Sequence, residues 1–261
     1  MTLHTYRTGG AGLPLVLLHG FPLDHRMWDA AAALVPGERP VLAVDLPGTP
    51  TDDEELPEPS LDASADRVAA ELRSAGIDRA VVAGLSMGGY VVLALLERHP
   101  DLVAGAGLVD SKSTADTDDA RANRLRIAAE ADESGSVAPV RPMSTTLLGE
   151  SSRTSRPELV DTIAAWIEDQ RPAGVAWSQR AMAARPDRTD VLRGYTGAAL
   201  VLVGDEDTVT PVEAAEHMAA AAPQAALVVV PRAGHMSALE QPAAVADALG
   251  ELAQRADDPG R

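Results

Sequence analysis

Cysteine is absent from the 261 residues. That excludes a disulfide framework and a thiolate nucleophile, and it removes any clue to redox environment. Lysine occurs once, at Lys112, among 22 basic residues, which leaves a Schiff-base mechanism a single candidate position. Aromatic residues make up only 3%, with one phenylalanine. Positive charge is scarce beside 39 acidic residues, and the formal charge is −17. The field of such a surface repels phosphate, which argues against nucleic acid or an anionic membrane as a partner. No window approaches the ~18 apolar residues that a membrane span needs. The opening MTLHTYRTGGAG lacks the charged-then-apolar layout of a secretory signal, so a cytoplasmic location is the default expectation.

What is present suits one globular α/β domain with an inserted segment, since 46% hydrophobic content over this length can bury a core. Short β-branched or apolar runs alternate with alanine-rich helical patterns, the signature of a mostly parallel sheet with helices on both faces. The runs predict strands at 3–7, 14–18, 41–44, 80–83, 105–109, 199–203 and 226–230, and helices at 61–74, 87–98, 212–221 and 243–254. Gly9, Gly10 and Gly12 predict a hairpin turn joining the first two strands, and the tail after Leu252 reads as frayed. The alternation stops after Asp110. Residues 112–188 are polar, arginine-rich and helical in places, which predicts a cap inserted into a core formed by 1–111 and 189–261. Trp166 and Trp177 lie in this segment and read as packing anchors.

The most informative stretch is Val81 to Tyr90, where an apolar run ends in Gly-Leu-Ser-Met-Gly and an apolar helix follows. Such a strand–turn–helix is a nucleophile elbow, with Gly84 and Gly88 supplying the small neighbours that a strained serine at position 86 requires. The Met87 amide, at the helix N-terminus, would be one oxyanion donor. The turn His19-Gly20-Phe21-Pro22 closes an earlier strand and would aim the Phe21 amide into the same space. His19 itself reads as a bridge between backbone groups, and Asp24, His25, Arg26 and Trp28 as a capped helix entry.

A serine needs a base and a carboxylate that orients it. His235 stands alone on a loop after a late strand, whereas His4, His99 and His217 fall in a terminal strand or on helix faces. The acidic turn Gly204-Asp205-Glu206-Asp207 offers three carboxylates, of which Asp205 and Glu206 also suit helix capping or solvent. Asp110, at a strand end, is a further rival.

Together, HGFP at 19–22, GLSMGG at 84–89, the VGDEDTVTP turn and AGHMSALEQP at 233–242 resemble the α/β-hydrolase fold superfamily. More narrowly they resemble its small bacterial esterase, enol-lactonase and cofactor-free haloperoxidase-like group. The resemblance implies Ser86, Asp207 and His235 as nucleophile, acid and base, with Phe21 and Met87 as oxyanion amides. One departure is visible: Pro47-Gly48-Thr49-Pro50 stands where such proteins carry an arginine-glycine-histidine-glycine type of turn, near the active-site floor. A serine at the elbow also implies neither a dehalogenase nor an epoxide hydrolase, whose nucleophile is aspartate.

The expected function is hydrolysis of a small-molecule carboxylic ester or lactone through an acyl-enzyme, with no metal or organic cofactor. Leu23 and Met236, beside Met87 and the cap, are the expected substrate contacts in a mainly apolar pocket. An enol-lactonase, a carbon–carbon bond hydrolase, a thioesterase or an acyltransferase would use the same triad. A hydrolase-like binding protein with an idle triad is the alternative from another class.

Overall fold

The computed structural model describes residues 1–52, 54–222 and 224–258. Strands β1 (Thr2–Arg7), β2 (Leu15–Leu18), β3 (Val41–Asp45), β4 (Ala80–Leu85), β5 (Val103–Val109), β6 (Ala198–Gly204) and β7 (Ala225–Val230) form one sheet. Its order is β1-β3-β2-β4-β5-β6-β7, with β1 antiparallel to β3 and the other neighbours parallel. Strands β2 to β5 are buried along their whole length, as strands covered on both faces must be, and they read as unbroken apolar runs. Edge strand β7 instead leaves Leu227 and Val229 exposed.

Helices α1 (Asp29–Leu34), α2 (Leu61–Ser74) and α3 (Met87–Arg98) fall among the first strands, and α10 (Val212–Ala221), α11 (Ser237–Glu240) and α12 (Pro242–Asp257) among the last. Between β5 and β6 lie α4 (Asp118–Ser134), α5 (Met143–Thr146), α6 (Glu150–Ser155), α7 (Glu158–Glu168), α8 (Pro172–Ala183) and α9 (Thr189–Gly194). The local signals are ordinary. The Ser60 hydroxyl accepts from the Asp62 and Ala63 amides at the start of α2, and Thr117 caps α4 through the Ala120 amide. Gly135, at φ 58°, ends α4, and Pro172 and Pro242 open α8 and α12.

Two expectations fail. The first two strands form no hairpin: β1 pairs with β3, and β2 lies between β3 and β4. The glycines serve a close approach instead, since a side chain at Gly10 (φ 126°) would begin 2.0 Å from the Glu38 carbonyl oxygen. A fully buried β2 needs a parallel neighbour on each side, whereas half-buried β1 suits an edge. The tail is likewise ordered to 258, because the Asp257 carboxylate accepts from the Leu13 amide at 2.9 Å and pairs with Arg39 at 2.9 Å. Residues 259–261 of that tail lie outside the described residues.

Packing predicts a steep contrast. Leu17→Ala, in β2 at 0% exposure, should lower unfolding free energy by about 2–5 kcal/mol. Leu125→Ala, on α4 at 46% exposure, should stay within about 0.5 kcal/mol of the parent, both read by urea unfolding.

Candidate active site

Ser86 sits at the apex of the β4–α3 turn with φ 52° and ψ −110°, a backbone conformation costly for any residue with a side chain. The surroundings impose it. A side chain at Gly84 would begin 2.1 Å from the Gly88 carbonyl carbon, and one at Gly88 would begin 2.3 Å from the Leu18 carbonyl oxygen. The Ser86 amide donates to the Val109 carbonyl at 2.9 Å, and the Ser111 hydroxyl donates to the Ser86 carbonyl at 2.9 Å. The end of β5 therefore holds both sides of the strained residue.

His235 reaches this apex from the loop after β7. Its Nε2 lies 2.8 Å from the Ser86 Oγ, and its Nδ1 lies 2.8 Å from the Asp207 Oδ2. Asp207 is fixed in turn: Oδ1 accepts from the Val209 and Thr210 amides at 2.8 and 2.9 Å, and Oδ2 accepts from the Thr210 hydroxyl at 2.8 Å. A carboxylate facing Nδ1 places the proton there and leaves Nε2 free to accept from serine. All three side chains are buried. Burial alone pushes the His235 pKa down, but the charge and hydrogen bond of Asp207 outweigh it, and the net direction is upward from 6.5. Burial pushes Asp207 up, and the His235 charge and its hydrogen bonds bring it below the ordinary carboxylate value.

The rival acids have other work. Asp110 accepts from the Gly204 and Ser237 amides, each at 3.0 Å, and so braces the strand end behind the histidine. Burial and the neighbouring Asp207 charge push its pKa up to about 7. Asp205 accepts from the Arg232 amide at 2.6 Å, while Glu206 accepts from the Ser151 amide at 2.8 Å and from its hydroxyl. Neither caps α10, whose N-cap is Pro211, and Asp205 is exposed, in line with the solvent alternative. Both carboxylates join loops instead, because backbone amides at the strand ends need acceptors.

His19 bridges backbone: its Nε2 accepts from the Leu46 amide at 2.9 Å, and its Nδ1 faces the Gly20 carbonyl at 3.1 Å. Burial pushes its pKa down and keeps the ring neutral. Asp24 caps the 3₁₀ turn His25–Trp28 through the Arg26 amide, and it also receives the Gln170 side-chain amide at 3.0 Å. Phe21, Leu23 and Met87 line a cavity of about 20 Å³ together with Thr49, Gln170 and Ser178, room for one or two water molecules. Met87 is the first residue of α3, where an amide has no intrahelical acceptor. Met236 is buried outside this lining. The lining is mainly apolar, through Phe21, Pro22, Leu23, Pro47, Met87 and Val175, and His19, Thr49, Gln170 and Ser178 add polar atoms to it.

Pro47, Gly48 and Thr49, the unusual turn, line the same cavity. Helix α8 rests directly on that turn: a side chain at Gly174 would begin 1.8 Å from the Gly48 carbonyl oxygen. Trp177 donates from Nε1 to the Pro57 carbonyl at 2.6 Å, and Trp166 lies beneath the Arg26 guanidinium at 5.7 Å, so both tryptophans tie 112–188 to the connections that follow β2 and β3.

One residue went unnoticed in the sequence. Glu240, buried, accepts from the Gly234 and Met236 amides at 2.8 and 3.2 Å and from the Gly149 amide at 2.9 Å. It grips the loop on either side of His235 and joins it to the 112–188 segment. An acid five residues beyond the histidine was the available signal.

These parts define a hydrolase of the α/β class: a parallel sheet, a strained serine between strand and helix, and a histidine and acid on later strand ends. The profile of the alpha/beta hydrolase family matches residues 15–248, and the chain belongs to that family. Among solved structures, a thermophilic esterase from Thermogutta terrifontis is 36% identical with a TM-score of 0.91, covering 98% of this chain and 94% of that one. The dihydrolipoyllysine-residue acetyltransferase component of the acetoin cleaving system of Pseudomonas putida is 32% identical over 91% of this chain, which spans 63% of that protein's length. The pimeloyl-[acyl-carrier protein] methyl ester esterase of Aromatoleum aromaticum is 29% identical over 87% of this chain and 93% of that enzyme. No helix among the described residues is long and apolar enough to cross a membrane.

The Glu240 clamp is testable. Glutamine can still accept at the histidine loop but presents an NH₂ group to the Gly149 amide, leaving a buried donor unpaired. Glu240→Gln should therefore cost about 1–3 kcal/mol in chemical denaturation.

Proposed function

We propose that this chain hydrolyses a small carboxylic ester or lactone through an acyl-enzyme, with Ser86 as nucleophile, His235 as base and Asp207 as the orienting acid. The observation that carries the reading is the buried relay from Ser86 Oγ to His235 Nε2 and from Nδ1 to Asp207, each link 2.8 Å. In the first half-reaction the serine oxygen attacks the substrate carbonyl carbon as Nε2 takes its proton. The carbonyl oxygen becomes an oxyanion facing the Phe21 and Met87 amides, each such donor being worth about 10²–10³ in turnover. The imidazolium returns the proton to the leaving alcohol, and the carbon–oxygen bond breaks. Water, deprotonated by the same nitrogen, then releases the acid and restores the serine.

In this reading residues 112–188 form the cap, with Gln170, Val175 and Ser178 facing the cavity beside Leu23. The small size of the cavity favours compact acyl groups over long chains. The likeness to a solved esterase supports ester hydrolysis over carbon–carbon cleavage.

Ser86→Ala should lower p-nitrophenyl ester turnover by about 10⁴-fold or more with an unchanged thermal melt, and near-parental turnover would overturn the assignment. A fluorophosphonate probe should label the parent and not this variant; failure to label the parent would favour the idle-triad binding protein. The pKa direction of His235 sets a second test. Because protonated imidazole cannot act as base, kcat/KM should fall with decreasing pH along a limb centred above 6.5. Asp207→Asn should move that limb downward as well as slow the reaction, whereas a flat profile from about pH 5 to 9 would count against His235.

A further inference from the structure

Away from the serine, three side chains from separate parts of the chain meet at one carboxylate. His4 of β1 stands opposite Ala43 of β3 in the antiparallel ladder, so Asp45, two residues along, shares its face of the sheet. His25 comes over from the loop after the oxyanion turn and donates its own amide to Asp45 Oδ1 at 2.8 Å. Asp45 Oδ2 then lies 2.9 Å from His4 Nε2 and 3.0 Å from His25 Nδ1, and the two imidazoles stack with centroids 3.4 Å apart. One donor atom from each residue falls within 4.8 Å of the other two.

We propose that His4, His25 and Asp45 bind a divalent transition-metal ion that fastens edge strand β1 to the loop bearing Phe21. Metal bonds of about 2.1 Å meeting at right angles put neighbouring ligand atoms about 3.0 Å apart, the separation of both nitrogen–oxygen pairs here. The carboxylate is 0% exposed, and among the described residues its ion-pair partners are these two histidines. Among the described residues neither lysine nor arginine pairs with it, which leaves a place for a metal cation as its counter-charge. The Thr51 hydroxyl donates to Oδ2 at 2.7 Å and holds the carboxylate in place, as outer hydrogen bonds do for metal ligands. The imidazoles are 27% and 21% exposed, which gives an ion a path from solvent and room for water ligands. Two imidazoles and one carboxylate suit Zn²⁺, Ni²⁺ or Cu²⁺ over Mg²⁺ or Ca²⁺. Binding through His4 Nε2 and His25 Nδ1 would require each ring to carry its proton on the other nitrogen. The ion's role is structural. Asp45 adjoins Leu46, whose amide supports His19, and His25 adjoins Asp24, so the staple secures both flanks of the 19–24 turn.

The test uses chelator-treated whole protein titrated with Zn²⁺, Ni²⁺ and Mg²⁺, followed by calorimetry and by thermal melting. A single Zn²⁺ or Ni²⁺ should bind per chain and raise Tm, with no response to Mg²⁺. His4→Ala and His25→Ala should each weaken binding by about tenfold or more, while His99→Ala leaves it unchanged. Electron paramagnetic resonance of Cu²⁺ bound to the parent should report two coordinating nitrogens, a readout that needs no variant to fold. Absence of Zn²⁺ and Ni²⁺ binding by the parent, or equal affinity in the His4 and His25 variants, would overturn the proposal.

Discussion

The close approach of helix α3 to the ends of strands β2 and β4 is the constraint from which the site follows. With a carbonyl of β2 lying where a side chain of Gly88 would start, and Gly88 lying where one of Gly84 would start, the turn has one geometry open to it. That geometry forces Ser86 into the left-handed region and turns its hydroxyl out of the sheet. The strain is held by the end of β5, through Val109 and Ser111. Strain of this kind persists only where its surroundings over-determine it.

The acidic composition has a second meaning once the loops are seen. Asp24, Asp110, Asp205, Asp207, Glu206 and Glu240 all accept backbone amides at strand ends or helix entries. Carboxylates therefore organise the loops that carry the site, a contribution distinct from the repulsive field of the whole surface. Asp207 alone among the acidic-turn residues pairs its remaining oxygen with an imidazole.

Periodicity and punctuation were enough to read the strands and α2, α3 and α10 to within a residue or two, because buried strands and amphipathic helices carry their pattern locally, whereas α12 runs three residues past its expected end and α4, α7 and α8 were read only as helical in places. Pairing was not legible: a glycine run before β2 reads as a hairpin, and only the path past Glu38 reveals it as a crossing. The meeting of Ser86, Asp207 and His235 follows from chain order along a parallel sheet, which puts each loop at the same edge. Glu240 escaped because its role lies in accepting hydrogen bonds across loops, at which its spacing from His235 only hints. Met236 adjoins the histidine in sequence, and its side chain is buried in the core.

The carbonyl of Leu147 accepts the backbone amide of His235 at 2.9 Å, and Ser151, four residues on, is held by the acid-bearing turn. The inserted segment is thus joined to the histidine loop and the acid-bearing turn at 147–151, and it lines the cavity at 170–178. Sequence drift near 147–151 would disturb the backbone that holds His235, whereas drift around 170–178 would reshape the cavity lining. Two stretches of one insertion are consequently open to selection on different properties, so under the proposed function new specificities could arise in this scaffold without retuning its base.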